Sequence, residues 1–435
     1  MERSLNDRIV AARCAVDLTR ALDTDRNDGI ARLQMETARA VLAAGGRAFW
    51  IDELRLGLYE IDAATFAKLF DRVADEVRPL GRDVRMRGGV AKSIASCRRW
   101  IRLYRLLRGR PLTLGKGDVL LMFGAYWHRR GLAALAAVAG RKTGSLITLV
   151  HDLLSIRRPD LSWQAPEVSG GFRNYLYTVA TVSDRVLANS NFTRSDFLRF
   201  CEEEGLPPPT TGFMRLASDL DSRVAPRLTQ RLGEMNLKKH GFALMVSTIE
   251  PRKNHLFAYQ LWRRLAERLG EGAIPLIFAG QPGWQPTDLF ERLVNDRQMW
   301  GKYIFFVEQP SDQELAWLYS HAAFTLYPSE FEGWGLPITE SLSFGTYCLA
   351  ADNTSLREAS QGLAWHADTL YGRDWLEEIE RCILDPAYLP EKRAEIVARF
   401  IKRRWSDFAA DLLAEIKEIE PTNAPPEKRL PGKHE

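Results

Sequence analysis

Two carboxylates and two cations stand out as groups whose types and spacing suit chemistry. Glu332 and Glu340 lie in YPSEFEGWGLPITESLSFGTYCLA, residues 327–350, on either side of the Gly-Trp-Gly-Leu-Pro turn. A carboxylate is a strong acceptor for paired hydroxyls such as those of a ribose. Arg252 and Lys253 sit together in STIEPRKNH, residues 247–255, just before a segment of helical period. The free N–H groups of a helix N-terminus, reinforced by a bidentate Arg and a compact Lys, make an anion site. Each group also has a plainer reading. Arg252 can pair with Glu250, Glu340 can help cap its helix, and Glu332 can be a solvated loop residue.

These residues need strands to hold them. Short apolar runs alternate with longer segments of helical period, the pattern of a parallel sheet covered by helices on both faces. RAFWID, DVLLMFGAYW, SLITLVHD and RVLANS read as strands in the first half, and FALMVST, IPLIFAG, YIFFVE, AFTLYP and TYCLAAD in the second. After RKN, apolar residues recur at Ala258, Leu261, Trp262, Leu265 and Leu269, with Asn254 as the expected N-cap. Ligands of open parallel sheets bind outside the carboxyl ends of the strands, and both charged loops lie there. The glycines of FEGWG let the backbone approach a ligand, and Pro337 suits the first turn of the following helix. The fold class is therefore α/β, with two Rossmann-like domains and a cleft between them. EEEGLPPPTTG and RLTQRLGEMNLKKHG break the rhythm, which sets the domains at residues 1–225 and 226–400. EKRAEIVARFIKRRWSDFAADLLAEIKEI reads as a long helical region, and residues 421–435 as a disordered tail.

A chain of 435 residues exceeds what one core usually supports, in line with two domains. No apolar run reaches the roughly 18 residues of a membrane span, and the N-terminus lacks a secretory pattern, so a cytoplasmic location is expected. The five cysteines show neither CxxC nor Cys/His spacing, which argues against a disulfide framework and a zinc site. Net charge is only +4, yet eleven Lys or Arg residues and one acid lie between Arg82 and Lys116. Within that stretch, CRRWIRLYRLL interleaves Arg98, Arg99, Arg102 and Arg105 with apolar residues. Such a helix can lie on an anionic membrane or bind an acceptor, or it can face its own core. There is no nucleic-acid-binding motif, and no nucleic-acid partner is expected.

EPRKNH, FAGQPGW and PSEFEGWGLPITES occur in that order at the ends of successive predicted strands, and together they resemble the C-terminal domain of glycosyltransferase family 4. The resemblance implies the GT-B fold, a nucleotide-sugar donor, retention of anomeric configuration, and neither metal nor other cofactor. It also implies a C-terminal helix, residues 401–420, crossing back to the N-domain. The family's two glutamates separated by seven residues are matched by Glu332 and Glu340. By that match Glu332 contacts the donor sugar and Glu340 the nucleotide ribose, while Lys253 and Arg252 hold the diphosphate. The backbone around Trp334, Gly335 and Leu336 supports the sugar and phosphate. Several family members carry a further Arg just after the first strand of this domain. Here Ser247 or Thr248 stands in its place, which leaves the division of phosphate work open.

The N-terminal half is similar in fewer places. VDLTRALDTDRNDGIARLQMETARAV resembles the opening of a subgroup with a Gly-Ile-x-Arg element, here Gly29, Ile30 and Arg32, in a loop that faces the cleft. TLVHDLLSIRRPD ends a strand at His151 and Asp152, matching the family's cleft histidine, and ANSNFTRSDF matches its Ser-x-x-Thr turn. His151 can equally be structural, and Ser190 can simply cap a helix. The expected activity is transfer of a mannose-, rhamnose- or glucose-type hexose to a glycan or lipid-linked oligosaccharide, as in lipopolysaccharide assembly at a membrane face. Rivals are a sugar-nucleotide epimerase or hydrolase on the same fold, a metal-dependent transferase using the Asp-x-Asp triplets at 23–25 or 219–221, and a nucleic-acid-binding module.

Overall fold

Two parallel sheets follow one another along the chain. The computed structural model describes residues 10–23, 29–70, 110–162, 166–218, 220, 224–283, 291–293 and 295–419. The first sheet contains β1 (Cys14–Asp17), β2 (Arg47–Asp52), β3 (Gly57–Ile61), β4 (Val119–Met122), β5 (Ser145–Val150), β6 (Arg185–Ala188) and β7 (Thr211–Phe213). Its order is β3-β2-β1-β4-β5-β6-β7, parallel except where β2 meets β3. The second contains β8 (Ala243–Val246), β9 (Leu276–Gly280), β10 (Ile304–Glu308), β11 (Phe324–Tyr327), β12 (Tyr347–Ala351) and β13 (Trp365–Ala367). Its order is β10-β9-β8-β11-β12-β13, parallel throughout.

Strand order reverses between β1 and β4 in the first sheet and between β8 and β11 in the second. At such a switch point the crossovers leave in opposite directions and open a crevice at the carboxyl ends of the strands. The charged loops at 247–255 and 328–335 follow β8 and β11, so both open onto the crevice of the second sheet.

Burial on both faces explains why most strands are visible as apolar runs: all six residues of β5 are buried. The run-based reading misses β1, β3, β7 and β13, whose sequences CAVD, GLYEI, TGF and WHA are short or mixed in polarity. The helices that matter for the site are α1 (Gly29–Ala43), α2 (Arg129–Arg141), α3 (Pro166–Val182), α4 (Asn191–Glu203), α5 (His255–Leu269), α6 (Asp312–His321), α7 (Leu336–Ser343), α8 (Gly372–Leu384), α9 (Tyr388–Arg399) and α10 (Trp405–Lys417).

Two local expectations are corrected. Asn254 precedes α5 but makes no cap bond: its backbone is left-handed, with φ 60°, and its Nδ2 donates to Glu330 Oε1 at 2.7 Å. A left-handed residue aims its side chain away from the orphan N–H groups of the helix. The long helical region after residue 391 is also two helices, α9 and α10. Between them the chain is non-helical from Phe400 to Arg404, and Arg403 is tied to Ser218, its carbonyl accepting the Ser218 N–H at 3.0 Å and its own N–H donating to Ser218 Oγ at 2.8 Å. That link carries the chain back across the domain boundary, which a continuous helix does not allow.

Helix α10 then packs on the first domain. Phe408, Leu412 and Ile416 join Val16, Leu33, Val41 and Phe123 in one hydrophobic cluster, and Arg185, the first residue of β6, pairs with Glu415 at 2.5 Å and Glu418 at 2.9 Å. Among the described residues no helix is long and apolar enough to cross a membrane. Arg98, Arg99, Arg102 and Arg105, the tail at 421–435, and parts of both Asp-x-Asp triplets lie outside the described residues.

Candidate active site

The loop after β8 makes a short 3-10 turn, Pro251–Lys253, that turns Arg252 and Lys253 toward the loop after β11. The two loops are stitched together through backbone. Glu330 N–H donates to the Arg252 carbonyl at 2.8 Å, and Ser329 Oγ lies 3.2 Å from the same carbonyl. Ser355, fully buried, places its single hydroxyl donor 2.9 Å from the carbonyls of both Glu332 and Trp334, and Thr354 Oγ1 accepts the Glu332 N–H at 3.2 Å.

Held this way, Glu332 is buried, with 6% of its surface exposed, and not a solvated loop residue. Its Oε1 accepts from Lys253 Nζ, from Tyr327 Oη at 2.9 Å and from Ser329 Oγ at 2.5 Å, while its Oε2 faces Arg252 Nη1 at 2.9 Å. Burial alone pushes a carboxyl up, but Arg252, Lys253 and these hydrogen bonds outweigh it and hold Glu332 ionised, with a pKa of about 2. Lys253 is 7% exposed, and burial together with the neighbouring Arg252 draws its ammonium down against the pull of Glu332. Arg252 Nε also pairs with Glu250 at 2.6 Å, so the pairing that the sequence left open coexists with the contact to Glu332. Two cations and two carboxylates thus form one desolvated network facing the crevice. Ser247, at the end of β8, places its Oγ 3.2 Å from Nε2 of His255, which burial and Lys253 keep neutral with a pKa of about 3.

Glu340 lies one turn into α7, which begins after Gly335 at φ 108°, and Pro337 occupies the first turn as expected. Its carboxylate is not a cap. Oε2 accepts from Tyr319 Oη at 2.9 Å, and Oε1 accepts from Arg32 Nη1 of the other domain at 3.0 Å.

The first domain meets this loop along its length. An added Cβ at Gly333 would lie 1.7 Å from the His151 carbonyl oxygen, so glycine here admits the backbone of the other domain. Thr193 Oγ1 donates to the Gly333 carbonyl at 3.2 Å, and Ser190 caps α4 through the Thr193 N–H at 2.9 Å. His151 itself donates from Nε2 to the Phe123 carbonyl at 2.9 Å. At Gly29 an added Cβ would be 3.3 Å from Leu336 Cδ1, so these two residues adjoin across the crevice. The Trp334 side chain, 5% exposed, joins the first domain's hydrophobic cluster with Val16, Leu18 and Phe123. What it leaves toward the crevice is backbone.

Sequence reasoning assigns no role to Tyr327, Ser329, Ser355, Tyr319 or Asp312. Tyr327 and Ser329 lie inside the stretch that drew attention, whereas nothing local marks Tyr319 or Ser355. A further buried group closes the end of β1. Asp17 accepts from Thr19 N–H at 3.0 Å, Gln34 Nε2 at 3.3 Å and Tyr126 Oη. Burial outweighs those bonds and raises its pKa to about 6.

Residues 233–399 match the family model described as Glycosyl transferases group 1. Over 270 residues the chain is 28% identical to the serotype-specific mannosyltransferase WbdA of Escherichia coli, covering 59% of this chain and 32% of that protein. The O-antigen chain mannosyltransferase B of Escherichia coli is 34% identical over 177 residues, which are 40% of this chain and 44% of that one. The chain therefore spans less than half the length of the curated relatives it matches. Among solved structures, the trehalose-6-phosphate synthase OtsA superimposes with a TM-score of 0.62 at 12% identity, covering 94% of this chain and all of that one. HepE of Anabaena, in complex with UDP and glucose, gives 0.60 at 14% identity over 93% of this chain and all of that one. The two-domain architecture is GT-B.

Proposed function

We propose, from a C-terminal domain that matches the model of the group 1 glycosyl transferases, that this protein transfers a hexose, mannose first among the candidates, from a nucleotide sugar to a growing glycan or lipid-linked acceptor. The observation that carries the reading is the buried network of Glu332, Lys253 and Arg252 beside Glu340, at the switch point of the second sheet and facing the first domain. The curated relatives are named as mannosyltransferases, and one structural neighbour holds UDP and glucose. In this reading the diphosphate lies against Arg252 and Lys253, the donor sugar against Glu332, and the ribose against Glu340, with His151 on the sugar's other side.

The proposed chemistry retains anomeric configuration by a front-face route. The bond from C1 to the departing phosphate oxygen breaks, the acceptor oxygen bonds to C1 on the same face, and its proton passes to the phosphate. Glu332 is a poor covalent nucleophile, because both its oxygens are already engaged by cationic or hydroxyl donors. Preorganised positive charge at a developing phosphate charge is the main catalytic device. Arg252 and Lys253 supply it, so activity is expected to persist in excess EDTA. Attachment to an anionic membrane through the basic stretch at 82–116 belongs to the same reading, and absence of vesicle binding at low salt would remove that part.

The test is to screen GDP-mannose, UDP-glucose and dTDP-rhamnose for transfer to a lipid-linked or oligosaccharide acceptor, with anomeric configuration read by NMR. A glycosylated product of retained configuration is expected. Free sugar or an epimerised nucleotide sugar would favour the hydrolase or epimerase instead.

A further inference from the structure

Arg32 is on α1 of the first domain, yet both ends of its guanidinium are held by the second. Nη1 donates to Glu340 Oε1 at 3.0 Å, and Nη2 donates to Asp312 Oδ1 at 2.7 Å. The contact with Glu340 spans 308 positions of sequence. Glu332 draws its two cations from its own domain, whereas Arg32 reaches Glu340 across the crevice. The geometry is set at the helix starts. Gly29 opens α1 against Leu336, which opens α7, and Arg32 and Glu340 each lie about one turn further on.

We propose that Arg32 is a positioning residue for ribose recognition, fixing the Glu340 carboxylate from the opposite domain so that the diol grip is complete only when the two domains are together. The proposal rests on Glu340 being the ribose ligand. A buried carboxylate needs a cation and hydrogen-bond donors to remain ionised. Arg32 and Tyr319 supply these on separate oxygens. The guanidinium is itself held in place at its other end by Asp312.

Calorimetry on the full chain tests this with GDP, UDP, their 2′-deoxy forms and inorganic pyrophosphate, on wild type and on Arg32→Gln, Arg32→Lys and Glu340→Gln. Loss of one hydroxyl to a charged acceptor should weaken the preferred nucleotide about tenfold in wild type. In Arg32→Gln that nucleotide should weaken by about tenfold, the ratio between ribo and deoxy forms should fall toward one, and pyrophosphate should bind as in wild type. Arg32→Lys should restore part of the ratio. Arg32→Gln with an unchanged ratio, or with pyrophosphate weakened equally, overturns the positioning role. If wild type makes no ribo/deoxy distinction, or Glu340→Gln preserves it, the ribose reading falls, and this one with it. If wild type binds neither GDP nor UDP, the donor reading itself falls.

Discussion

Lys253 and Glu332 bring opposite charges into a space with little water, and each depends on the other to stay charged. A cation already desolvated and aimed needs no reorganisation when charge develops on a leaving phosphate. Lys253→Ala should therefore lower kcat on the order of 100-fold to 1000-fold while the circular dichroism spectrum stays unchanged, and an active variant would sink the assignment. Glu332 also makes a prediction about pH. Its folded-state pKa, about 2, lies below the ordinary 4.5, so the stabilisation it brings is present above pH 4.5 and is lost as pH falls through about 2. A depression of that size corresponds to roughly 3 kcal/mol. The gap in melting temperature between wild type and Glu332→Gln should be widest at pH 7 and should narrow steadily below pH 4.5. A gap constant down to pH 2.5 would contradict this.

The loop between β11 and α7 places these residues, and its two glycines do different work. Gly335 takes the left-handed backbone that starts α7, with φ 108°. Gly333 lets the His151 backbone come close, since an added Cβ would meet the carbonyl oxygen at 1.7 Å and the Asn189 amide nitrogen at 3.1 Å. Backbone on the far side cannot rotate away as a side chain does, so Gly333→Ala must push the loop and the first domain apart. Misplacement on the order of 1 Å costs about 100-fold in rate. The expected result is a loss of that size in kcat with Tm of the second domain nearly unchanged. Wild-type turnover would show that the two backbones do not meet in solution. The strand ends and the helix starting at Leu336 were legible in sequence, because alternating apolar runs and a Gly-x-Gly-Leu-Pro turn are local signals. Asn254 occupies the expected N-cap position of α5 but makes no side-chain cap bond, which sequence does not show because a left-handed φ leaves no mark in a residue type that serves both purposes.

Across the whole molecule, the second domain and the C-terminal helix both anchor in the first domain's core. Trp334 enters that cluster from the loop, and Phe408, Leu412 and Ile416 enter it from α10. Phe408 is almost fully buried, and its truncation to alanine should destabilise the first domain by about 3–5 kcal/mol. Hydrogen exchange should then show lost protection in α1, residues 29–43, and little change in α5, residues 255–269. Equal loss in both would mean that the domains unfold as one unit. Local sequence determined much of this protein: two α/β sheets, charged loops at their carboxyl ends, and one glutamate in the loop after β11 with another about one turn into the helix that follows. These follow because burial and turn formation are written in windows of a few residues. Tertiary structure decided the rest. It paired Lys253 with Glu332 across 79 positions and Arg32 with Glu340 across 308, sent Trp334 into the other domain, and broke the last helical region so that it could return. Those outcomes depend on how two separately folded sheets close against each other, and no local period encodes that closure.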